Sequence, residues 1–211
     1  MSEKDLDTGA LAESRAQAAS PEADLGPGGN HPGTLKKTVV MVGMMGAGKT
    51  AVGRALAARL GVPFLDSDHE IETAANLTIP EIFARDGEAF FREKEHQVIS
   101  RLLNEECGIL STGGGAFLAE RNREAISEAG VAVCLKADLE VLWKRVKGRN
   151  TRPLLQTDAP YQTLAEIYAA RAQIYDLAEI KVPSDGETTI EVMVDRVLDA
   201  LTSRPDVLEK T

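Results

Sequence analysis

The chain has 211 residues, of which 43% are hydrophobic, and its 33 Asp and Glu residues outnumber its 24 Lys and Arg residues. The length suits one domain with a tail, and the net charge of −9 argues against a general nucleic-acid binder, because a phosphate backbone requires a basic face. The sequence shows no apolar run of bilayer length, no signal-peptide pattern and no CxxC motif. We therefore expect a cytoplasmic protein, away from membranes, with reduced cysteines and no zinc site.

The first part of the chain differs in composition from the rest. Residues 1–36 are rich in small and polar side chains and contain few large aliphatic ones. The burial of these few apolar side chains cannot offset the conformational entropy that the segment would lose on folding. We therefore predict a disordered extension over 1–36. The folded domain is expected over residues 37–202, followed by a flexible end over 203–211.

Predicted strands and helices alternate from residue 37 onward. The unbroken apolar run 38–42 predicts a strand that is covered on both faces. The remaining strands are predicted at 62–66, 108–112, 131–135 and 180–182, and the helices at 49–60, 79–104 with a break near Gly87, 120–129, 139–146, 161–177 and 190–201. This alternation indicates βαβ crossovers, and hence an α/β fold with a five-stranded parallel sheet flanked by helices.

The most specific motif is GMMGAGKT at residues 43–50, which fits GxxxxGK[ST] between a predicted strand and a predicted helix. Its glycines let successive backbone N–H groups turn towards phosphate oxygens, and the start of the helix adds a positive dipole. Lys49 is expected to reach the β- and γ-phosphates of ATP, and the Thr50 hydroxyl to bind Mg²⁺. The predicted nucleotide-binding residues of this loop are Gly46, Ala47, Gly48, Lys49, Thr50 and Ala51.

Two aspartates, Asp66 and Asp68, follow the second predicted strand. Ligands of open parallel sheets bind beyond the carboxyl ends of the strands, so both carboxylates should lie at the mouth of the site. One carboxylate could hold Mg²⁺ through water, and the other could orient a hydroxyl group and accept its proton as a base. The alternative is an N-cap pair for a following helix.

A helix and a glycine run supply further candidates. Arg92 and Glu95 are three residues apart and therefore share a helix face, either as part of a site or as a solvated ion pair. The glycines that end the third predicted strand offer bare N–H groups to a ligand, although a simple turn would also contain glycine. These glycines are Gly113, Gly114 and Gly115.

Arginines account for the remaining candidates. Arg152 lies in a polar loop, where it suits a lid that closes over ATP and excludes water, or a solvated basic loop. Arg145 and Arg149 are near enough in sequence to share this role. Arg171 lies in the apolar stripe of the next helix and needs either a structural carboxylate or a bound anion as partner. The three tyrosines of that helix, at a spacing of seven, are interpreted as core packing.

Taken together, GMMGAGKT, FLDSD, FREKE, TGGGAF, TRPLL and RAQIY resemble the shikimate kinase family, in that order and over roughly residues 37–202. The resemblance implies a P-loop kinase fold related to the nucleoside monophosphate kinases, with a lid and a substrate-binding subdomain. It implies phosphorylation of the 3-hydroxyl of shikimate by ATP with one Mg²⁺ ion, in the route to chorismate and the aromatic amino acids. We expect a monomer.

The resemblance also implies residue roles. Lys49, Asp68 and Arg152 take part in catalysis, Arg152 also contacts the phosphates of ATP, and Asp66 assists Mg²⁺. The substrate-binding residues that it implies are Asp68, Arg92, Gly113, Gly114, Gly115 and Arg171, with Glu95 in support.

Two other functions remain open at this level. A different small-molecule kinase, such as one for gluconate, shares the phosphate loop and the lid but need not place two arginines on one carboxylate. A P-loop switch or binding protein holds nucleotide without a hydroxyl acceptor.

Overall fold

The computed structural model describes residues 33–148 and 153–210. Its strands are β1 (Thr34–Leu35), β2 (Thr38–Val42), β3 (Phe64–Asp66), β4 (Ile109–Ser111), β5 (Gly130–Ala137), β6 (Ile180–Ser184) and β7 (Leu208–Glu209). Its helices are α1 (Lys49–Leu60), α2 (Ser67–Ala75), α3 (Ile79–Glu105), α4 (Glu120–Ala129), α5 (Leu139–Val146), α6 (Pro160–Tyr175) and α7 (Ile190–Thr202).

Five of the strands form a parallel sheet in the order β3-β4-β2-β5-β6. Every residue of the central strand β2 is buried, as a strand with helices on both sides of the sheet requires. The chain moves from β2 to one side of the sheet and later to the other, so the strand order reverses next to β2. Ligands bind at such a switch point, beyond the carboxyl ends of the strands.

The helices flank this sheet. Helix α1 packs against β3, β4 and α7, and α4 packs against β5 and α3. Helix α3 contains a kink at Gly87, whose φ of 81° and ψ of 172° are not helical, at the place where the sequence predicts a break. The predicted α/β fold is thus confirmed. No helix within residues 33–148 and 153–210 combines the length and apolarity needed to span a membrane.

Helix α2 is absent from the predicted elements. Only Ser67 and Ile71 are buried in its nine residues, so it has no apolar periodicity to reveal it. Its ends are set by local chemistry instead. Asp66 caps the N-terminus with its side chain, and Asn76 ends the helix in the left-handed region at φ 49°.

The C-terminal segment differs from the flexible end expected over 203–211. Strand β7 pairs antiparallel with β1, and the side chains of Val207 and Leu208 are buried. These two aliphatic residues anchor the segment, and an ion pair of 3.0 Å joins Lys36 to Glu209. The predicted extension 1–36 lies outside the described residues up to residue 32.

Candidate active site

The GMMGAGKT segment forms the loop between β2 and α1. Gly48 is the N-cap of α1, and its φ of 98° and the φ of 82° at Gly46 lie in the left-handed region, which glycine adopts without strain. A methyl group on Gly46 would lie 2.7 Å from Cγ1 of Val146, so the loop also needs glycine there for close packing. The loop therefore brings the positive end of α1 to the switch point of the sheet.

This loop borders a cavity of about 520 Å³. The lining includes residues 46–51, which are the predicted nucleotide-binding residues of the loop, and also Asp68, Gly113 and Gly114. The structure thus brings the predicted phosphate loop and part of the predicted acceptor site into one cavity.

Lys49 stands at the start of α1, and its ammonium group lies over the loop. Its Nζ donates hydrogen bonds to the carbonyl oxygens of Gly43 at 2.9 Å and Met44 at 3.2 Å. The charge is therefore held among the backbone groups of the loop, which is where a phosphate chain is expected to bind.

Oxygen ligands suitable for Mg²⁺ lie at the ends of α1, β3 and β4. Thr50 Oγ1 is 3.3 Å from Ser111 Oγ, and Ser111 is paired in register with Asp66 of the neighbouring strand. Mg²⁺ prefers such oxygens and takes only one or two from the protein when phosphates supply others. This donor set fits a nucleotide-borne Mg²⁺ ion. Within the described residues, no cluster of three or more His, Cys, Asp and Glu side chains forms a separate metal site.

The two aspartates occupy different positions. Asp66 Oδ1 accepts hydrogen bonds from the backbone N–H of Asp68 at 3.1 Å and of His69 at 3.4 Å, so the N-cap alternative holds for Asp66. Asp68 lines the cavity, whereas Asp66 is not among the lining residues.

Burial raises the pKa of Asp68 to about 6, and the nearby carboxylates of Asp66 and Glu95 act in the same direction. The ammonium of Lys49 opposes this rise. A carboxyl with a pKa near the operating pH is well suited to accept a proton from a hydroxyl group.

The glycine run after β4 touches two charged candidates. A methyl group on Gly113 would lie 2.6 Å from Asp68 Oδ1, and one on Gly115 would lie 2.8 Å from both terminal nitrogens of Arg92. Neither glycine has a positive φ, so the close approach of Asp68 and Arg92, and not a left-handed backbone, is what requires glycine at these two positions.

Arg92 is held by carboxylates on its own helix. Its NH1 donates to Glu95 Oε1 at 3.0 Å and Oε2 at 2.9 Å, and its Nε lies 3.3 Å from Glu88 Oε1. The Glu95 side chain is 1% exposed while that of Arg92 is 31% exposed. Burial raises the pKa of Glu95, and Arg92 opposes this. The Arg92–Glu95 ion pair is therefore partly buried, and it differs in this from the solvated surface pair that the sequence left open.

Arg171 has no carboxylate within ion-pair distance among residues 33–148 and 153–210. Tyr175 follows Arg171 by one helical turn on α6, and the positive charge of Arg171 lowers the pKa of Tyr175 against the larger effect of burial. The Tyr175 hydroxyl donates to the carbonyl oxygen of Gly114. The bound anion that the sequence left open as a partner of Arg171 stays a prediction.

Of the three arginines near the predicted lid, the structure describes only Arg145. Arg145 NH1 lies 3.4 Å from the carbonyl oxygens of Gly46 and Ala47, and its NH2 donates to Ser184 Oγ at 3.1 Å. It thereby joins the phosphate loop to the end of β6. Arg149 and Arg152 lie outside the described residues.

Sequence reasoning missed several residues of the site. Ser111 sits beside Thr50, Ser184 holds Arg145, and Tyr175 holds Gly114. Each of these contacts joins residues that are far apart in the sequence, so no local pattern signals them.

A glycine-rich loop at the start of α1, the hydroxyl of Thr50 and the buried carboxyl group of Asp68 line one cavity, and this arrangement is typical of the class of P-loop kinases that phosphorylate small molecules. A model of the shikimate kinase family, described as "SKI: Shikimate kinase", matches residues 45–202. A shikimate kinase of Ruegeria pomeroyi is 69% identical over 175 residues, which cover 83% of this chain and 90% of that protein. The chain belongs to the shikimate kinase family.

Solved structures agree with this assignment. A shikimate kinase from Acinetobacter baumannii in complex with shikimate aligns with a TM-score of 0.74 at 38% identity, over 79% of this chain and 93% of that one. A gluconokinase from Sinorhizobium meliloti 1021 aligns with a TM-score of 0.52 at 18% identity, over 80% of this chain and 93% of that one, and so shares the fold alone.

Proposed function

We propose that the cavity between the phosphate loop and the glycine run transfers the γ-phosphoryl group of ATP to the 3-hydroxyl of shikimate. The observation that carries this proposal is the position of Asp68, which lines the same cavity as Lys49 and touches Gly113. This common cavity supports a role for Asp68 as base and for Lys49 as phosphate-binding cation in the same transfer.

On the nucleotide side, the N–H groups of the loop and the Lys49 ammonium bind the phosphates and stabilise the charge that develops during transfer. Thr50 and Asp66 are the residues that would hold Mg²⁺. When bound, the ion neutralises charge on the β- and γ-phosphates. Arg152 adds a further cation from the lid, as the family resemblance implies.

On the acceptor side, Arg92 and Arg171 bind the shikimate carboxylate, and Glu95 fixes the orientation of Arg92. Backbone N–H groups of the glycine run bind a ring hydroxyl, while Asp68 accepts the proton of the attacking hydroxyl. The transfer needs mainly positioning and charge stabilisation, so this set suffices without a covalent intermediate.

The cellular compartment and the oligomeric state of the enzyme are also proposals. We infer a cytoplasmic enzyme from its two free cysteines, Cys107 and Cys134, which suit a reducing compartment. We propose that it works as a monomer, because the residues assigned to both substrates come from one chain. Size-exclusion chromatography with light scattering tests the second point.

The direct test compares two acceptors in an ADP-release assay with ATP. Shikimate is expected to support turnover and to yield shikimate 3-phosphate by mass spectrometry, whereas gluconate is not. Turnover with gluconate alone would overturn the proposal in favour of the other small-molecule kinase. Nucleotide binding without turnover on either acceptor would favour the switch protein.

Arg171→Leu is expected to raise the KM for shikimate by about 10²-fold, since a hydrogen-bonded charge pair contributes roughly 1.5–3 kcal/mol and the ligand carboxylate loses its partner. The KM for ATP should stay within about twofold, because Arg171 is assigned to the acceptor alone in this proposal. Arg101→Leu, which changes an exposed arginine on α3 that pairs with Glu70 and Glu105, is the matched control. Equal increases in both KM values would point to a defect of the fold.

Alanine at Gly113 and at Gly115 should impair different kinetic constants. At Gly113 the methyl group displaces the Asp68 carboxylate, so kcat is expected to fall by about 10-fold or more, whereas at Gly115 it displaces Arg92, so the KM for shikimate should rise by a similar factor. Initial-rate kinetics over both substrates separate the two effects. Identical changes in the two variants would contradict this division of the loop.

A further inference from the structure

We propose that Tyr175 is a positioning residue, whose hydroxyl fixes the backbone of the glycine run beside the α6 face that carries Arg171 and so fixes the acceptor-binding geometry. This inference rests on the function proposed above. The role is distinct from core packing, which is all that the sequence pattern suggested for this side chain.

The ring of Tyr175 is fixed by its surroundings. The residue is 4% exposed at the end of α6, and its ring stacks on that of Phe117 with centroids 6.4 Å apart and planes inclined by 10°. Phe117 lies in a short 3₁₀ helix (Ala116–Leu118) that directly follows the glycine run. The stacking therefore ties α6 to the segment that carries the N–H groups of the site.

The hydroxyl, not the ring, contacts the site. It donates a hydrogen bond to the carbonyl oxygen of Gly114. Burial raises the pKa of Tyr175 to about 12, so the hydroxyl keeps its proton at neutral pH and remains a donor to Gly114. A phenylalanine would pack in the same space, so packing alone gives no reason to bury a hydroxyl here.

The hydrogen bond from Tyr175 acts at the centre of the glycine run, because it is made to Gly114. Gly113 and Gly115 flank it, and they touch Asp68 and Arg92 respectively. A single hydrogen bond at Gly114 therefore limits movement of the backbone on which both contacts depend. The two acceptor-side groups that contact the glycine run, Asp68 and Arg92, therefore both depend on this one hydrogen bond.

Tyr175→Phe removes only the hydroxyl, and Tyr168→Phe, one heptad earlier on α6, is the matched control. We expect the KM for shikimate to rise by about 10-fold in Tyr175→Phe, because the carbonyl oxygen of Gly114 loses its hydrogen-bond partner and the glycine run is held less firmly. The KM for ATP should stay within about twofold in both variants, and calorimetry without ATP should show the same loss of shikimate affinity.

A second variant separates positioning from packing. Phe117→Leu removes the stacking partner but keeps the hydrogen bond from the Tyr175 hydroxyl to Gly114, so it is expected to lower the melting temperature while the ratio of the two KM values stays close to that of the unchanged protein. A Tyr175→Phe variant with unchanged shikimate affinity, or with parallel losses for both substrates, would overturn the inference. Absence of shikimate turnover in the unchanged protein would instead overturn the proposed function.

Discussion

Lys49→Ala is expected to abolish phosphoryl transfer, with kcat reduced by about 10³-fold or more. The loss is this large because the ammonium lies among the backbone groups of the phosphate loop and would stabilise charge only as it develops on the transferred group. Neither the loop backbone nor the dipole of α1 is altered by the substitution. Nucleotide affinity should therefore fall much less than the rate does.

Single-turnover kinetics and titration with a nucleotide analogue measure these two effects separately. Lys181→Ala, which removes an exposed lysine from β6, is the control and should behave like the unchanged protein. A Lys49→Ala variant that retains more than about a tenth of the rate would refute the assigned role, since a single lost electrostatic donor ordinarily costs 10²- to 10³-fold.

Asp68→Asn is expected to lower kcat by about 10² to 10⁴-fold while ATP binding stays intact, because the amide cannot take the proton of the attacking hydroxyl. In the unchanged protein, kcat/KM should fall below about pH 6, where Asp68 becomes protonated. The variant should lose this acid limb. A limb that persists in Asp68→Asn would show that another group titrates there.

The same substitution is expected to stabilise the fold. The pKa of Asp68 is about 6 in the folded state against 3.8 for an ordinary Asp, so the folded protein binds more protons between these pH values and loses stability as the pH rises through them. Above pH 6 the variant should gain on the order of 1–3 kcal/mol in free energy of unfolding, and below about pH 4 this gain should vanish. Denaturant melts at pH 4 and pH 8 measure this difference. Asp199→Asn, at an exposed position of α7, serves as the control variant.

The fold could be predicted largely from local signals. The buried run of β2, the glycine motif and the alternation of strands with helices each depend on residues close together in the chain, and the sheet and the phosphate loop are confirmed. The limits of the prediction appear where tertiary contacts dominate. Helix α2 has two buried residues in nine and is defined by its caps, and β7 is stabilised by pairing with a strand near the other end of the chain.

The candidate site shows the same division. Lys49, Asp68 and the glycine run were found because motif and strand end coincide there, and the structure brings them together. The hydroxyl of Tyr175 was not found, because its partner Gly114 is 61 positions away and the tyrosine spacing indicates packing only. The raised pKa of Asp68 could not be predicted either, since burial is its main cause and burial depends on the tertiary fold.

The pairing of β1 with β7 has a consequence for the boundaries of the folded unit. Leu35 and Leu208 face each other in this pairing, and the backbone N–H of Lys36 donates to the carbonyl oxygen of Val207 at 2.8 Å. Removal of β1 or of β7 leaves the other strand without its pairing partner. We therefore expect the two strands to lose their order together. A fragment limited to residues 45–202, the range that the family model matches, would lack β1 and β7 and also the central strand β2.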